Sequence, residues 1–244
     1  MKDTRKILLA IQFWDGDKKQ AMEVARLIAD LEPRLSNQAD FLFESRFDCE
    51  HDQDTIKYVS RKFHVHTHIS RRRATGWPFG PNELWFDTVD YVYTFGVEAK
   101  RMADYKAVLT FEADAFPLCP NWIQMLSEEW DATRPANILG ALQQYPAPHI
   151  NGNAMFSCDP KFLEWIARRV GGCSPHGGWD FVLAPQFKSW GWKNSNLFRS
   201  WWQTATLELE RYDQLLRERV CFLHGVKDNS VIKHVREKYH LTSV

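Results

Sequence analysis

The stretch FEADAFP at residues 111–117 places Glu112 and Asp114 on either side of one alanine, directly after the apolar run AVLT at residues 107–110. A short apolar run of this kind is typical of a buried strand, so both carboxylates stand where a predicted strand ends. Carboxylate oxygens are hard ligands that suit a divalent cation carrying phosphate oxygens. The pair could equally be two solvated acids at a strand end, so its interpretation depends on the rest of the chain.

Alternating strands and helices surround this stretch. Periodicity predicts strands at residues 7–11, 40–45, 63–69, 106–111, 138–142, 152–157 and 220–225, and helices at residues 21–31, 54–63, 83–95, 120–130 and 159–170. Strands separated by helices predict an α/β fold with a largely parallel, Rossmann-like sheet, whose ligands lie beyond the carboxyl ends of the strands. Asp15, Arg46 and the basic run at residues 71–73 are expected at that edge of the sheet.

Composition limits the classes of protein that fit. The 244 residues are 44% hydrophobic, contain no repeat or flexible linker, and predict one domain over residues 1–244. Lysine plus arginine equals aspartate plus glutamate at 31 each, which argues against a general attraction to nucleic acid or anionic membrane. Five cysteines without C-x-x-C spacing, and an opening apolar run limited to residues 7–11, predict a cytoplasmic protein with no membrane span.

A histidine late in the chain could complete a cation site. His224 lies at the end of the apolar run in the predicted strand at residues 220–225, and an imidazole can bind Mn²⁺ beside carboxylates. Lys227, three residues later, could neutralise a diphosphate. The alternative for His224 is an ordinary hydrogen-bonded histidine, because the chain contains nine.

An acid in the second half of the chain is the candidate general base. Asp180 follows Trp179 where the Gly-rich segment at residues 177–178 enters an apolar helical segment. A carboxylate in a cleft could take the proton of an attacking hydroxyl. The same residue could instead stabilise the first turn of that helix.

Two further groups are candidates for binding sugar. Asn151, Gly152 and Asn153 could direct amides at sugar hydroxyls, although Asn-Gly is also a hairpin turn signal. Eleven tryptophans exceed the needs of a core of this size. Four of them, Trp190, Trp192, Trp201 and Trp202, do not follow a helical period and predict an aromatic platform for an acceptor.

The order of these parts resembles glycosyltransferases of the GT-A fold. The resemblance spans nearly the whole chain: an opening strand-loop-helix, acid-x-acid at a central strand end, the GNA strand, the GGWD helix start and the late HGVK. It implies a nucleotide-sugar donor held by Mn²⁺ or Mg²⁺. The implied roles are metal ligation by Glu112, Asp114 and His224, base catalysis by Asp180 with inversion, sugar binding by residues 151–153 with Trp179, and nucleotide binding by Gln12, Trp14, Asp15 and Arg46. The first metal acid is Glu112 where the family motif has aspartate, so Asp114 is the firmer ligand.

Several alternatives stay open from the sequence. The resemblance also implies a nucleotide-sugar-binding half at residues 1–118 and a smaller acceptor-side part at residues 119–244. If Asp180 only stabilises a helix, a retaining mechanism becomes possible. The basic run at residues 71–73 and the many tryptophans would also suit a glycosyltransferase acting on hydroxymethylated bases in DNA. A non-catalytic nucleotide- or carbohydrate-binding module and a nucleotidyltransferase are the remaining alternatives.

Overall fold

A computed structural model describes residues 3–98, 104–168, 177–201 and 206–241. The strands of this part are β1 (Lys6–Phe13), β2 (Ala39–Ser45), β3 (Val65–Ile69), β4 (Tyr105–Glu112), β5 (Ala115–Pro117), β6 (Ile138–Gly140), β7 (Leu142–Gln143), β8 (His149–Ile150), β9 (Ala154–Ser157), β10 (Trp192–Asn194), β11 (Phe198–Ser200) and β12 (Phe222–His224). The helices are α1 (Lys18–Leu31), α2 (Gln53–Val59), α3 (Phe79–Glu98), α4 (Trp122–Thr133), α5 (Pro160–Ala167), α6 (Trp179–Val182), α7 (Ala184–Trp190), α8 (Leu209–Arg217) and α9 (Ser230–Lys238).

Seven strands form the central sheet, in the order β10-β6-β9-β4-β1-β2-β3. Strand β1 pairs in parallel with β2 and β4, β2 with β3, and β10 with β6. Strand β9 runs antiparallel to both of its neighbours, β4 and β6. The predicted α/β fold with a mostly parallel sheet flanked by helices is therefore confirmed.

Strands β1 and β4, at the centre of the sheet, are buried on both faces, which explains their largely apolar sequences. On β1, Ile7, Leu9 and Ile11 enter one hydrophobic core, while Leu8 and Ala10 enter the other. Helices α1, α4, α8 and α9 contribute to the first core, and α3, α5 and α7 contribute to the second. Helices therefore pack on both faces of the sheet. Loops cover the edge at which the parallel strands end.

A second, three-stranded sheet has the order β11-β12-β5. Strand β12 runs antiparallel to β5, which opposes His224 to Ala115. The N–H of Gly225 donates to the carbonyl oxygen of Asp114 over 3.0 Å. Gly225 has a φ of 101°, and a Cβ there would lie 2.1 Å from the carbonyl oxygen of Trp201, so this position requires glycine. The small sheet thereby brings the late histidine beside the acid pair.

Some predicted boundaries differ from the structure. Helix α3 begins at Phe79 rather than at residue 83, and the strand predicted at residues 138–142 is split into β6 and β7. Helix α5 begins with Pro160 after the cap Asp159, whose carboxylate accepts the N–H groups of Lys161 and Phe162. The predicted end of this helix, residues 169–170, lies outside the described residues. Among the described helices, none is both long and apolar enough to cross a bilayer.

Candidate functional site

An open cleft of about 760 Å³ lies beyond the carboxyl ends of β1 and β4. The residues predicted for metal, nucleotide, sugar and base roles all line this cleft except Asp15, which is exposed and does not belong to the lining. Residues from both halves of the chain contribute, from Gln12 to Lys227. The cleft thus gathers the candidate groups, and their roles stay predictions.

Glu112, Asp114 and His224 form a compact group of possible metal ligands. One ligand atom from each lies within 4.8 Å of the others. The Nε2 atom of His224 is 3.3 Å from Oε2 of Glu112 and 3.5 Å from Oδ1 of Asp114. The Asp114 and His224 side chains are buried, whereas that of Glu112 is 48% exposed. Two carboxylates and one imidazole facing a cleft fit Mn²⁺, and the open side leaves room for phosphate oxygens.

Backbone contacts fix this group. Strand β4 ends at Glu112, whose N–H donates to Oδ1 of Asn153 over 2.8 Å. The Asn153 amide in turn donates to Oδ1 of Asn151 over 3.1 Å, and the N–H of Asn153 reaches the same oxygen over 3.0 Å. Both asparagines are buried, so they brace the end of β4 at the base of the cleft.

The charges in this group are mutually dependent. Burial disfavours a charged His224, but the hydrogen bond to Glu112 and the charges of Asp114 and Glu112 outweigh it and raise the histidine pKa. Loss of water likewise disfavours a charged Glu112, but the hydrogen bond from His224 and the nearby charges of His224 and Lys227 lower its pKa. A protonated His224 therefore faces the same two carboxylates that would hold a cation. A metal ion that binds to the imidazole would displace this proton.

Lys227 reaches the same carboxylates from the rim of the cleft. Its Nζ contacts Oδ2 of Asp114, and its side chain is 60% exposed. Burial alone would lower the lysine pKa, but the hydrogen bond and charge of Asp114 raise it above its usual value. Lys227 therefore stays protonated and available to an anionic ligand.

Asp17 is a further acid in the lining, and no sequence signal was assigned to it. Its Oδ1 accepts the N–H of Trp14 over 2.8 Å, which closes the turn after β1. Burial, together with the charges of Glu112 and Asp114, raises its pKa to about 6. The pattern Trp-Asp-Gly-Asp at residues 14–17 could have pointed to either aspartate, and the structure places the second one in the cleft.

Asp180 lies in the first turn of the short helix α6, whose cap residue is Gly178. Its carboxylate accepts the N–H of Gly152 over 3.1 Å and that of Phe181 over 2.9 Å. Burial raises its pKa, and the nearby Glu112 charge raises it further, against the opposing effect of His149. Asp180 therefore stabilises its own helix turn and also faces the cleft, so the two interpretations of this residue coexist.

The wall beside Asp180 is held by α3. The indole of Trp179 stacks on Trp85 with ring centroids 3.6 Å apart. Asn82 accepts the N–H of Trp179 over 2.7 Å and donates to the carbonyl oxygen of Gly177 over 3.1 Å. Asn82 is buried and lines the cleft, but nothing in its local sequence distinguishes it from a loop asparagine.

The predicted nucleotide side of the cleft is also ordered by contacts within the protein. The guanidinium of Arg46 lies 4.8 Å from the ring centre of Trp14 and donates to both oxygens of Asp48 over 2.7 Å. The amide of Gln12 donates to Oγ1 of Thr88 over 2.5 Å. Trp14 is half-exposed, so its ring remains accessible to a ligand while Arg46 holds one side of it.

The predicted tryptophan platform is wrong for the residues that can be placed. Trp190 and Trp192 pack against the α3-side core, Trp201 packs against the other core, and none of the three lines the cleft. Trp202 lies outside the described residues. In the basic run, Arg72 Nε is 3.4 Å from Oδ1 of Asp87, so this arginine is engaged within the protein.

Solved glycosyltransferase structures share this fold. The apo bifunctional glycosyltransferase WbbM superposes with a TM-score of 0.57 at 10% identity, over 95% of this chain and 50% of its own, so the chain spans about half the length of WbbM. The galactosyltransferase LgtC with donor and acceptor sugar analogues gives 0.57 at 11% identity and 97% coverage of both chains. Mouse xyloside xylosyltransferase 1 gives 0.51 at 13% identity, over 92% of this chain and 99% of its own.

No protein-family model matches the sequence, and no curated protein matches it by sequence. The identities to the solved structures are low, so the similarity establishes the fold and leaves substrates undecided. The resemblance to glycosyltransferases of the GT-A fold is confirmed at that level.

Proposed function

We propose that the protein is a metal-dependent glycosyltransferase that moves a sugar from a nucleotide-diphosphate sugar to a hydroxylated acceptor. One observation carries the proposal. Glu112, Asp114 and His224 meet in one cleft with Lys227 and Asp180, in a chain with the fold of known glycosyltransferases. A nucleotide- or carbohydrate-binding module would need neither a three-ligand cation group nor an adjacent carboxylate with a raised pKa.

Each group of lining residues has a proposed role that follows from its position in the cleft. Glu112, Asp114 and His224 would hold Mn²⁺ or Mg²⁺, which when bound offsets the charge of the departing nucleoside diphosphate. Lys227 would donate to a phosphate oxygen from the rim. Gln12, Trp14 and Arg46 would contact the nucleoside, which leaves residues 1–118 mainly with the donor and residues 119–244 mainly with the acceptor. Asp15 has no part in the proposal because it lies outside the lining.

Asp180 would accept the proton of the acceptor hydroxyl as that oxygen attacks the anomeric carbon. The sugar–phosphate bond breaks in the same displacement, so the product has the inverted anomeric configuration. Burial makes this carboxylate a stronger base than an exposed aspartate, because its raised pKa reflects tighter proton binding. Asn151 and Asn153, with Trp179 beside them, would orient the sugar between the base and the cation group.

The test combines binding and turnover. Nucleoside diphosphates and nucleotide sugars are screened by thermal shift with and without Mn²⁺, since a ligand that binds only the native state raises its melting temperature. A hit is then assayed for release of nucleoside diphosphate. We expect metal-dependent release that falls at least a hundredfold in Asp114→Asn.

The matched control is Glu237→Gln, which removes an exposed carboxylate on α9, away from the cleft. This variant should behave as wild type. Turnover that persists in Asp114→Asn would overturn the proposal. So would release of pyrophosphate from a nucleoside triphosphate, which is the reaction of a nucleotidyltransferase.

A further inference from the structure

The exposed tryptophans of this protein are concentrated in the cleft. Among the tryptophans in the described part of the chain, only Trp14 and Trp77 are exposed, by 46% and 74%, and both line the cleft. A tryptophan is a large apolar surface, and leaving it in water forfeits the stabilisation that burial would give. The guanidinium of Arg46 already lies over the ring of Trp14, whereas most of the Trp77 side chain is exposed to solvent.

The segment that carries Trp77 is tied down on both sides. Before it, the N–H of Arg71 donates to Asp87 and that of Ala74 to Glu83, each over 3.1 Å. After it, the N–H of Gly80 donates to the carbonyl oxygen of Gly76 over 2.7 Å. These contacts fix the backbone of the segment, and the indole of Trp77 borders the cleft, which reduces the entropic cost of ordering the segment on binding.

Trp77 lies next to the proposed base. A methyl group built on the Cα of Gly178 would lie 2.8 Å from Oδ1 of Asp180 and 3.2 Å from Cη2 of Trp77. The carboxylate oxygen and the indole edge are therefore at most about 6 Å apart. An acceptor that presents a hydroxyl to Asp180 would bring its adjoining ring against Trp77.

The charge of the cleft favours a neutral acceptor. Apart from His224 in the cation group, the cations among the described lining residues are Arg46 and Lys227; each contacts a carboxylate, Asp48 and Asp114 respectively, and the proposed function assigns both to the donor. Binding a polyanion such as DNA depends on cations that neutralise its phosphates. A pyranose instead combines an apolar ring face with hydroxyls at its edge, which matches an indole beside the polar groups Asn82 and Asp180.

We propose that Trp77 is the acceptor platform and that the acceptor is a pyranose ring stacked on its indole with a hydroxyl directed at Asp180. This assignment rests on the proposed glycosyl transfer and specifies its acceptor as a carbohydrate. Trp77 acts as a specificity-determining residue on the acceptor side.

The test uses methyl pyranosides of the common hexoses and pentoses as probes. Binding is followed by saturation-transfer NMR and titration in the presence of Mg²⁺, which is diamagnetic, and a nucleoside diphosphate. We expect saturation to be strongest on the protons of one ring face. In Trp77→Ala the dissociation constant of the glycoside should rise about tenfold, which is the loss expected for one stacked ring. Trp77→Phe should retain most of the affinity.

Phe79→Ala is the matched control. Phe79 is a neighbouring aromatic residue with 48% exposure that does not line the cleft, so its removal should leave glycoside binding unchanged. The thermal shift with Mn²⁺ and the nucleoside diphosphate is measured on all variants, because it reports on folding and on the donor side separately.

Equal glycoside binding by wild type and Trp77→Ala would overturn the assignment. So would the absence of binding by every glycoside, or Trp77-dependent binding of an oligonucleotide with hydroxymethylated bases in place of glycosides. If glycosides bind through Trp77 but no nucleoside diphosphate shifts the melting temperature, the proposed transfer is wrong and the carbohydrate platform stands.

Discussion

At the scale of single residues, Asp180 carries the sharpest prediction because its carboxylate serves a helix turn and a cleft at once. Asp180→Asn keeps the side-chain size and an acceptor oxygen but cannot take up a proton in the same way. Transfer to an acceptor should fall at least a hundredfold, within the usual contribution of a general base. The thermal shift with Mn²⁺ and nucleoside diphosphate should persist. Asp159→Asn, which changes the exposed cap of α5, is the matched control and should remain active.

The pH profile gives an independent check on Asp180. A base must be deprotonated, so activity should fall as the pH drops through its pKa. Because burial raises that pKa, the acidic limb of kcat/KM should lie above the ordinary aspartate value of about 3.9. If Asp180→Asn retains the rate, the carboxylate is not the base and only stabilises its helix turn. If the product keeps the donor's anomeric configuration by NMR, the mechanism is retaining.

At the scale of elements, Asn82 joins α3 to the segment that leads into α6. Replacing it with alanine leaves the buried N–H of Trp179 and the carbonyl oxygen of Gly177 without this partner. We expect a loss of about 1–3 kcal/mol in the free energy of unfolding, the usual cost of unpaired buried polar groups. Urea denaturation measures this change.

The control for this pair of contacts is Asn82→Asp, which retains an acceptor for the Trp179 N–H but loses the donor to Gly177. Because the buried carboxylate loses its water and faces the carbonyl oxygen of Gly177, its stability at neutral pH should fall at least as far as that of Asn82→Ala. Equal stability of all three proteins would show that solvent replaces the side chain and that α3 does not hold α6 through it.

The sequence predicted elements well where one local pattern decides them. The buried runs of β1, β2 and β4 and the amphipathic pattern of α1 are local signals, so their positions were confirmed to within a few residues. The antiparallel direction of β9 and the pairing of β12 with β5 depend on distant partners, which a single sequence does not display.

The same distinction applies to the candidate site. Glu112 and Asp114 carry a spacing signal, and the resemblance supplied His224 through the order of the parts. Trp77 and Asn82 carry none, because a loop tryptophan gives no sign in sequence of whether it is buried, and Asn82 acts through contacts 95 and 97 residues away. The lack of a helical period predicts a platform of four tryptophans, but those that can be placed are partly buried and pack against the two cores.

At the scale of the whole molecule, stability should depend on pH through the buried Glu44 and its partly buried partner His68 near the edge of the central sheet. Burial raises the pKa of Glu44 to about 7, although its hydrogen bond with His68 opposes this. Burial disfavours a charged His68, but the hydrogen bond to Glu44 and the charge of Glu44 outweigh this effect and raise the histidine pKa. Both groups therefore hold their protons in the folded state at pH values where the unfolded chain has released them.

The expected direction follows from proton linkage. When the folded state binds more protons, raising the pH lowers the free energy of unfolding, by about 1.4 kcal/mol per pH unit for one proton. For Glu44 the window runs from its ordinary value of 4.5 to about 7. Urea denaturation at several pH values measures the slope. Glu44→Gln should flatten it, and an unchanged slope would show that other groups titrate in this range.

The pairing of β5 with β12 also determines when the proposed cation site can form during synthesis of the chain. Asp114 meets Lys227 across 113 positions of the chain, and His224 reaches the same carboxylate only when β12 has paired. Translation proceeds from the amino terminus, so a ribosome-bound chain could complete the strands around β1 and still lack His224, the third ligand of the proposed cation site. Under that proposal, a nascent polypeptide would begin to retain Mn²⁺ only after His224 has left the exit tunnel and β12 has paired with β5.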